Sequence, residues 1–161
     1  MRRASILFSV VVLVAACDKG SKSSGPVDAG GLRIMPATYG EHSNAPAETQ
    51  KKCKFDDELT SAVAEVAAET KAGKDRVLSL VITRMRGAEP TWEGEISVIV
   101  EGELEHDGTM VGNFRVQRRA LGGVGGGMAG VCNGLEDIAE EMAHDIGLWL
   151  EHPKEDSELG G

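Results

Sequence analysis

The stretch EISVIVEGELEHDGTMVGNFRVQRR, residues 95–119, alternates apolar and polar side chains on both sides of a central Asp-Gly pair. Such alternation is typical of two strands that each place one face in the core and the other in solvent. The sequence therefore predicts an antiparallel hairpin. The residues expected on its core face are Ile96, Val98, Val100, Gly102, Leu104, Met110, Gly112, Phe114 and Val116.

The register of this hairpin is predicted from the requirement that apolar residues stay on one face. A two-residue turn at 107–108 would place Leu104 opposite Val111 and mix the two faces. A three-residue loop over 106–108 instead pairs Leu104 with Met110 and keeps the faces separate. We therefore predict the longer loop, with its glycine in the left-handed position of a bulged hairpin.

The segments before the hairpin predict further elements of secondary structure. Residues 77–86 are apolar and β-branched and predict a buried strand, whereas residues 32–39 predict a weaker strand that Pro36 confines to an edge. The helical period runs from about residue 46 or 48 to residue 72, and the acidic residues 56–58 favour a helix that begins near Phe55. We expect Cys53 in the turn before this helix.

A second helix is predicted at the end of the chain, with Asn133 as its N-cap and Pro153 as its stop. The glycine-rich segment 120–134 before it is expected to be a loop. An apolar stripe runs along this helix and consists of Leu135, Ile138, Ala139, Met142, Ile146, Trp149 and Leu150.

The order of these elements predicts an α+β fold. We expect a two-layer sandwich in which an antiparallel sheet of three to four strands is covered by two helices. The expected divisions are a signal peptide at 1–16, a lipidated cysteine and flexible tether at 17–31, a single domain at 32–153, and an acidic tail at 154–161.

The beginning of the chain has the layout of an export signal. Arg2 and Arg3 precede an apolar run, residues 6–14, that is too short to span a bilayer as a permanent helix. The run ends in Val-Ala-Ala-Cys, which resembles the lipobox of bacterial lipoproteins, with Cys17 as the residue that receives acyl chains such as palmitate. The alternative is an ordinary secretory signal followed by an unrelated cysteine.

The charge of the chain limits its partners. The 161 residues carry a formal charge of −9, and loss of Arg2 and Arg3 with the signal leaves a mature chain of about −11. Such a chain disfavours nucleic acid and loose adsorption to anionic lipid. Membrane attachment is therefore expected through lipid on Cys17. The aromatic content of 4% also disfavours an extended platform for stacking.

The two remaining cysteines, Cys53 and Cys132, are expected to pair, because leftover thiols in an exported chain usually form a disulfide. In the chain-entropy model, closing a loop of roughly 80 residues stabilises the fold by about 4–5 kcal/mol. A free reactive thiol is the alternative.

The glycine-rich segment contains a formal G-x-G-x-x-G at 125–130, but no strand follows it, which disfavours a dinucleotide site. Two interpretations remain: a mobile loop that passes close to the helices, or backbone N–H groups that bind an anion or a partner's carboxylate. The residues of this candidate loop are Gly125, Gly126, Gly127, Gly130 and Asn133.

The sequence contains no recognisable catalytic or metal-binding motif, because H-E-x-x-H and G-x-S-x-G are both absent. We therefore expect no catalytic residue, no metal and no cofactor. Five arginines could meet at one end of the sheet, where they would bind an anionic partner or pair with neighbouring glutamates. They are Arg84, Arg86, Arg115, Arg118 and Arg119.

Several motifs resemble small bacterial envelope lipoproteins that carry a domain of unknown function. They are a cysteine that opens a helix, a strand hairpin, a glycine-rich segment with a second cysteine, and a closing D-I-x-x-W-L-x-x-P pattern over 145–153. The resemblance covers about residues 50–155. Members often have an aromatic residue and a lysine where this chain has Met128 and Ala129. The resemblance implies a fold and a location, and no activity.

These observations together predict a lipid-anchored protein of the bacterial envelope that faces the periplasm and binds a protein or a cell-wall component. The alternative is an envelope enzyme, or a lipoprotein that binds a small ligand or anion through an unrecognised site. Asp18 follows the predicted lipidation site, and the choice between inner and outer membrane stays open.

Replacement of the predicted lipidation site tests the anchor directly. In Cys17→Ala, we expect the protein to leave the membrane fraction, because acyl chains rather than charge hold it there. The measurement is fractionation of cells followed by immunodetection. An unchanged distribution would argue against lipidation.

Overall fold

The computed structural model describes residues 25–70, 75–92, 94–122 and 126–160. The signal sequence, Cys17 and Gly73 therefore lie outside the described residues. The elements in chain order are β1 (Val27–Ala29), β2 (Leu32–Ile34), β3 (Thr38–Tyr39), α1 (Ala47–Cys53), α2 (Phe55–Glu69), β4 (Arg76–Arg86), β5 (Glu95–His106), β6 (Thr109–Leu121), α3 (Gly127–Glu151) and β7 (Ser157–Leu159).

The fold is α+β, with three helices packed on one mixed sheet. The strand order is β1-β2-β4-β5-β6-β7, and β3 also pairs with β4. Strands β4, β5 and β6 form the predicted antiparallel centre, whereas β2 and β3 run parallel to β4, and β7 runs parallel to β6. Strand β1 pairs antiparallel with β2. The predicted sheet of three to four antiparallel strands was therefore too small and wrong in its pairing type.

The additional strands lie at the edges of the sheet, in segments predicted to be tether and tail. Val27 pairs opposite Ile34, and Ser157 pairs opposite Phe114. Main-chain hydrogen bonds to the neighbouring strand hold such short pieces, so their side chains need no alternating pattern. The ordered domain consequently begins before residue 32 and extends beyond residue 153.

The hairpin between β5 and β6 has a different register from the predicted one. His106 pairs with Thr109 across a two-residue turn in which Asp107 and Gly108 have φ of 51° and 74°. This is the positive-φ geometry of the commonest hairpin turns. A bulge next to Leu104 then shifts the pairing, so Leu104 lies opposite Gly112. Because of the bulge, the residues predicted on the core face are buried in both strands, from Ile96 to Leu104 in β5 and from Gly112 to Val116 in β6. Met110, at the turn, is exposed.

The first predicted helix is two helices in the structure. Lys54 adopts a left-handed conformation with φ of 47° and separates α1 from α2. Helix α2 begins at Phe55, as predicted. Cys53, however, is the last residue of α1 and not part of a turn.

The last helix begins earlier than predicted. Helix α3 starts at Gly127, so Asn133 lies inside the helix and does not cap it. Glycine normally disfavours a helix interior, but close packing can override this preference. A Cβ on Gly134 would lie 3.2 Å from Ile96 and 3.3 Å from the carbonyl oxygen of Leu121. The glycine therefore lets α3 lie close to the sheet.

The core lies between the helices and one face of the sheet. All seven residues of the predicted α3 stripe are buried there, together with Phe55, Leu59, Val63 and Ala67 of α2. The ring of Phe114 lies over Gly102, and its centroid is 4.8 Å from that of Trp149 in an edge-on arrangement.

A disulfide joins Cys53 to Cys132, as predicted. It connects the end of α1 to the second turn of α3, with a Cα–Cα distance of 4.9 Å. The bond therefore fastens the short helix α1 to the longest helix of the domain.

Substitution of Gly102 tests the packing of the ring of Phe114. A Cβ at this position would lie within van der Waals overlap of that ring, so we expect Gly102→Ala to lower the free energy of unfolding by about 1–3 kcal/mol. Urea denaturation measures the change. The control is Gly40→Ala, whose added Cβ would meet its nearest neighbours at 3.4 Å and should change stability by less than about 0.5 kcal/mol. Equal effects would contradict this packing.

The oxidation state of the two bridged cysteines is also testable. In protein recovered from membranes, Cys53 and Cys132 should resist alkylation until a reductant is added, because both thiols are in the bond. Mass spectrometry of the alkylated peptides measures the labelling. Immediate modification of both residues would show that the bridge is absent.

Candidate functional site

In the described part of the chain, helices cover one face of the sheet, and the opposite face carries acidic and basic side chains. Three glutamates of β5 lie on this uncovered face: Glu101, Glu103 and Glu105. Four arginines line a depression of the same face, and one of them, Arg115, lies directly opposite Glu101; they are Arg84, Arg86, Arg115 and Arg119. We call this arginine-lined depression the basic groove.

The pairing of the three central strands sets the layout of the basic groove. Arg86 lies opposite Ser97, which in turn lies opposite Arg119. In the adjacent row, Arg84 and Gln117 lie on either side of Ile99. The arginines thus project from the two strands that flank β5.

A β-bulge in β4 places two of these arginines on the uncovered face. Leu78, Leu80 and Ile82 point into the core, so strict alternation would point Arg84 inward as well. The register shifts between Ile82 and Arg84, and Met85 becomes the buried residue, with 1% of its surface exposed. Arg84 and Arg86 consequently both point outward.

The arginines of the basic groove differ in their ion pairs. Arg119 lies 3.4 Å from Glu95, and Arg115 lies 3.4 Å from Glu158. Arg84 and Arg86 form no ion pair with any residue that the structure describes. The groove therefore retains two positive charges that described residues do not neutralise.

Arg118 does not join the basic groove, although the sequence analysis grouped it with the other four arginines. It lies on the helix side of β6, where its Nε donates a hydrogen bond of 2.7 Å to Asp145 of α3. Glu141 lies 3.7 Å from the same guanidinium. Arg118 thus fastens α3 to the sheet and pairs with acidic side chains, which is the alternative stated above for these arginines.

The end of the basic groove is formed by the loop between β4 and β5. Trp92 lies there with 52% of its surface exposed, and its Nε1 donates a hydrogen bond of 3.3 Å to the carbonyl oxygen of Glu95. A side chain at Gly87 or Gly94 would collide with the indole ring. These two glycines therefore allow the indole ring to pack closely against the loop.

Helix α1 is hydrogen-bonded to the same loop. The buried hydroxyl of Thr49 donates a hydrogen bond of 2.6 Å to the carbonyl oxygen of Ala88. The groove that results has a volume of about 530 Å³. Sequence reasoning missed Trp92 and this support, because neither belongs to a periodic pattern.

The predicted anion-binding loop is not a loop along most of its length. Gly127, Gly130 and Asn133 lie within α3, and Gly126 immediately precedes this helix. Gly125 lies outside the described residues. Anion binding by the backbone here stays a prediction, and it would now concern the first turn of α3.

Outside the basic groove, the described titratable side chains do not indicate a metal-binding or catalytic site. Among the described residues, no three His, Cys, Asp or Glu side chains are grouped so as to hold a metal ion. The buried hydroxyl of Tyr39 lies near Asp56 without a hydrogen bond of good geometry. Burial, and secondly the charge of Asp56, raise the pKa of this phenol well above its usual value. Tyr39 therefore stays protonated.

Of the helices in the described part of the chain, none combines the length and the apolar character that a membrane span requires.

No protein-family model and no curated protein matches this sequence. Among solved structures, the chain is similar to a candidate lipoprotein from Caulobacter crescentus, with a TM-score of 0.50 and 16% identity over 76% of this chain and 89% of the other. A match at this identity shows the fold, and it confirms the lipoprotein-like fold that the sequence motifs predict.

Two further structures show weaker similarity. A Xanthomonas campestris protein of the family DUF330 has a TM-score of 0.42 and 16% identity over 74% of this chain and 82% of the other. PelC from Paraburkholderia phytofirmans, which was crystallised as a dodecamer, has a TM-score of 0.39 and 16% identity over 73% of this chain and 91% of the other. Neither similarity is high enough to support an inference.

Proposed function

We propose that this protein is a lipid-anchored, non-enzymatic binding protein of the bacterial envelope, and that the basic groove is where it contacts its partner. The observation that carries the proposal is the gathering of four arginines on the uncovered face of a sheet in a chain of net charge −9. A cleft lined by one sign of charge attracts the opposite charge and orients it.

The composition of the groove supports binding rather than catalysis. Its described lining contains no histidine, cysteine, lysine or aspartate, and its carboxylate, Glu95, is paired with Arg119. The hydroxyl of Ser97 accepts a hydrogen bond from the amide nitrogen of Gln117 at 3.5 Å, and among the described lining residues no carboxylate is hydrogen-bonded to this hydroxyl. An activated nucleophile needs an adjacent general base.

The lipoprotein signal and the fold support the location. The sequence ends its apolar run at Cys17 in the manner of a lipobox, and the candidate lipoprotein from C. crescentus has the same fold. The disulfide fits an exported protein, because disulfides persist in oxidising compartments.

The position of the groove relative to the anchor supports a partner away from the bilayer. Val27, the first residue of β1, lies level with Leu78 of β4 through Ile34 of β2. Arg86 lies eight residues further along β4, which corresponds to about 26 Å at the rise of a strand. The predicted tether therefore reaches the domain at the end of the sheet opposite the arginines.

Site-specific photo-crosslinking in living cells tests this proposal. A photoreactive amino acid in place of Ser97 would lie in the groove, and we expect it to give a discrete crosslinked product. The matched control replaces Glu140, an exposed residue of α3 on the helix side, and should give none. Immunoblotting against the protein detects the products.

The result also depends on the anchor. In the Cys17→Ala background the groove product should decrease, because an unanchored protein is no longer held at a fixed distance from its partner. Absence of a product at Ser97, or identical products from both positions, would contradict binding through the groove.

A further inference from the structure

We infer that the ligand of the basic groove is an acidic glycan, a chain of sugars that carries carboxylate groups. This inference rests on the proposed function, because it assigns a ligand class to the same groove. It is argued from the spacing of the charges, the small apolar area of the lining, and the position of Trp92.

The arginines suit a ligand that carries several anionic groups. Arg86 and Arg119 are separated by one intervening strand, so their Cα atoms lie about 10 Å apart. Arg84 is two residues from Arg86 on the same strand. Arg115 lies on β6, two residues before Gln117, which is level with Arg84. Arg84 and Arg86, which no described residue neutralises, can each bind a carboxylate through two parallel hydrogen bonds. A polymer with repeated carboxylates can use both sites simultaneously.

The lining offers little apolar surface, which favours a glycan over a protein partner. Protein interfaces depend on a few large apolar or aromatic side chains in desolvated pockets. In this groove Ile99 is only 7% exposed, and Trp92 is the one large aromatic side chain among the described lining residues. A hydrophilic ligand gives up less hydration free energy on such a polar surface than it would in an apolar pocket.

Trp92 provides a surface for one sugar ring. Its indole is half-exposed and is held in place by the hydrogen bond to Glu95 and by close packing against Gly87 and Gly94. A fixed aromatic ring can pack against the C–H groups of a sugar without a large loss of side-chain entropy. The ring lies at the end of the groove beyond the row that contains Arg86 and Arg119.

A binding experiment with defined oligosaccharides tests this inference. The full chain in non-ionic detergent is titrated with hexagalacturonate and with its fully methyl-esterified form, which has the same sugars without the charges. We expect the acidic hexamer to bind at least about tenfold more tightly, because each charged hydrogen bond it loses on esterification weakens binding. Isothermal titration calorimetry measures both affinities.

Two double variants locate the binding site. In Arg84→Gln/Arg86→Gln we expect the Kd for hexagalacturonate to rise about tenfold or more. The matched control, Arg33→Gln/Arg76→Gln, removes the same charge at the opposite end of the sheet and should change the Kd less than about twofold. Trp92→Ala should weaken binding of the acidic hexamer while thermal unfolding confirms that the variant is folded.

Several outcomes would overturn the inference. They are equal affinities for the two hexamers, equal effects of the two double variants, and tighter binding of the non-lipidated Cys17→Ala protein to phosphatidylglycerol vesicles than to hexagalacturonate. The crosslinking experiment at Ser97 separates this failure from failure of the proposed function. A groove product without uronate binding rejects only the ligand class, whereas absence of both rejects the groove as a binding site.

Discussion

The central constraint on this structure is that helices bury only one of the two faces of the sheet. On the covered face, close packing determines the residues: the ring of Phe114 requires Gly102 beneath it, and α3 approaches β5 because Gly134 lacks a side chain. On the uncovered face no helix restricts the side chains. Charges can therefore be distributed there to suit a ligand: Arg84 and Arg86 lie toward one end, Glu103 and Glu105 toward the other, and Arg115 lies opposite Glu101 between them.

Sequence patterns predicted the elements whose side chains form the hydrophobic core. The alternation in β5, the stripe of α3 and the beginning of α2 at Phe55 were all found, because burial imposes a period on apolar residues. The edge strands β1 and β7 were missed because main-chain hydrogen bonds hold them. The early beginning of α3 was missed because its glycines pack against the sheet, and this contact is invisible to local propensity.

The basic groove depends on a β-bulge in β4, and the sequence pattern does not show where a bulge will form. Five arginines were proposed as a cluster from their positions in the sequence, and four of them meet in the basic groove. The bulge between Ile82 and Arg84 determines that Arg84 and Arg86 point outward, while the uninterrupted alternation of β6 turns Arg118 toward Asp145. Since the shared fold is found at 16% identity, any specific function must lie in such side chains rather than in the architecture.

The disulfide has a consequence for when the groove becomes complete. Helix α1 ends in Cys53, and the same helix holds the loop of Trp92 through Thr49 and Ala88. On the export route proposed above, the chain first meets cytoplasmic reductants, and without the bond α1 is attached to α3 by non-covalent contacts alone. Oxidation after export would then fix α1, and with it the support of the loop that carries Trp92.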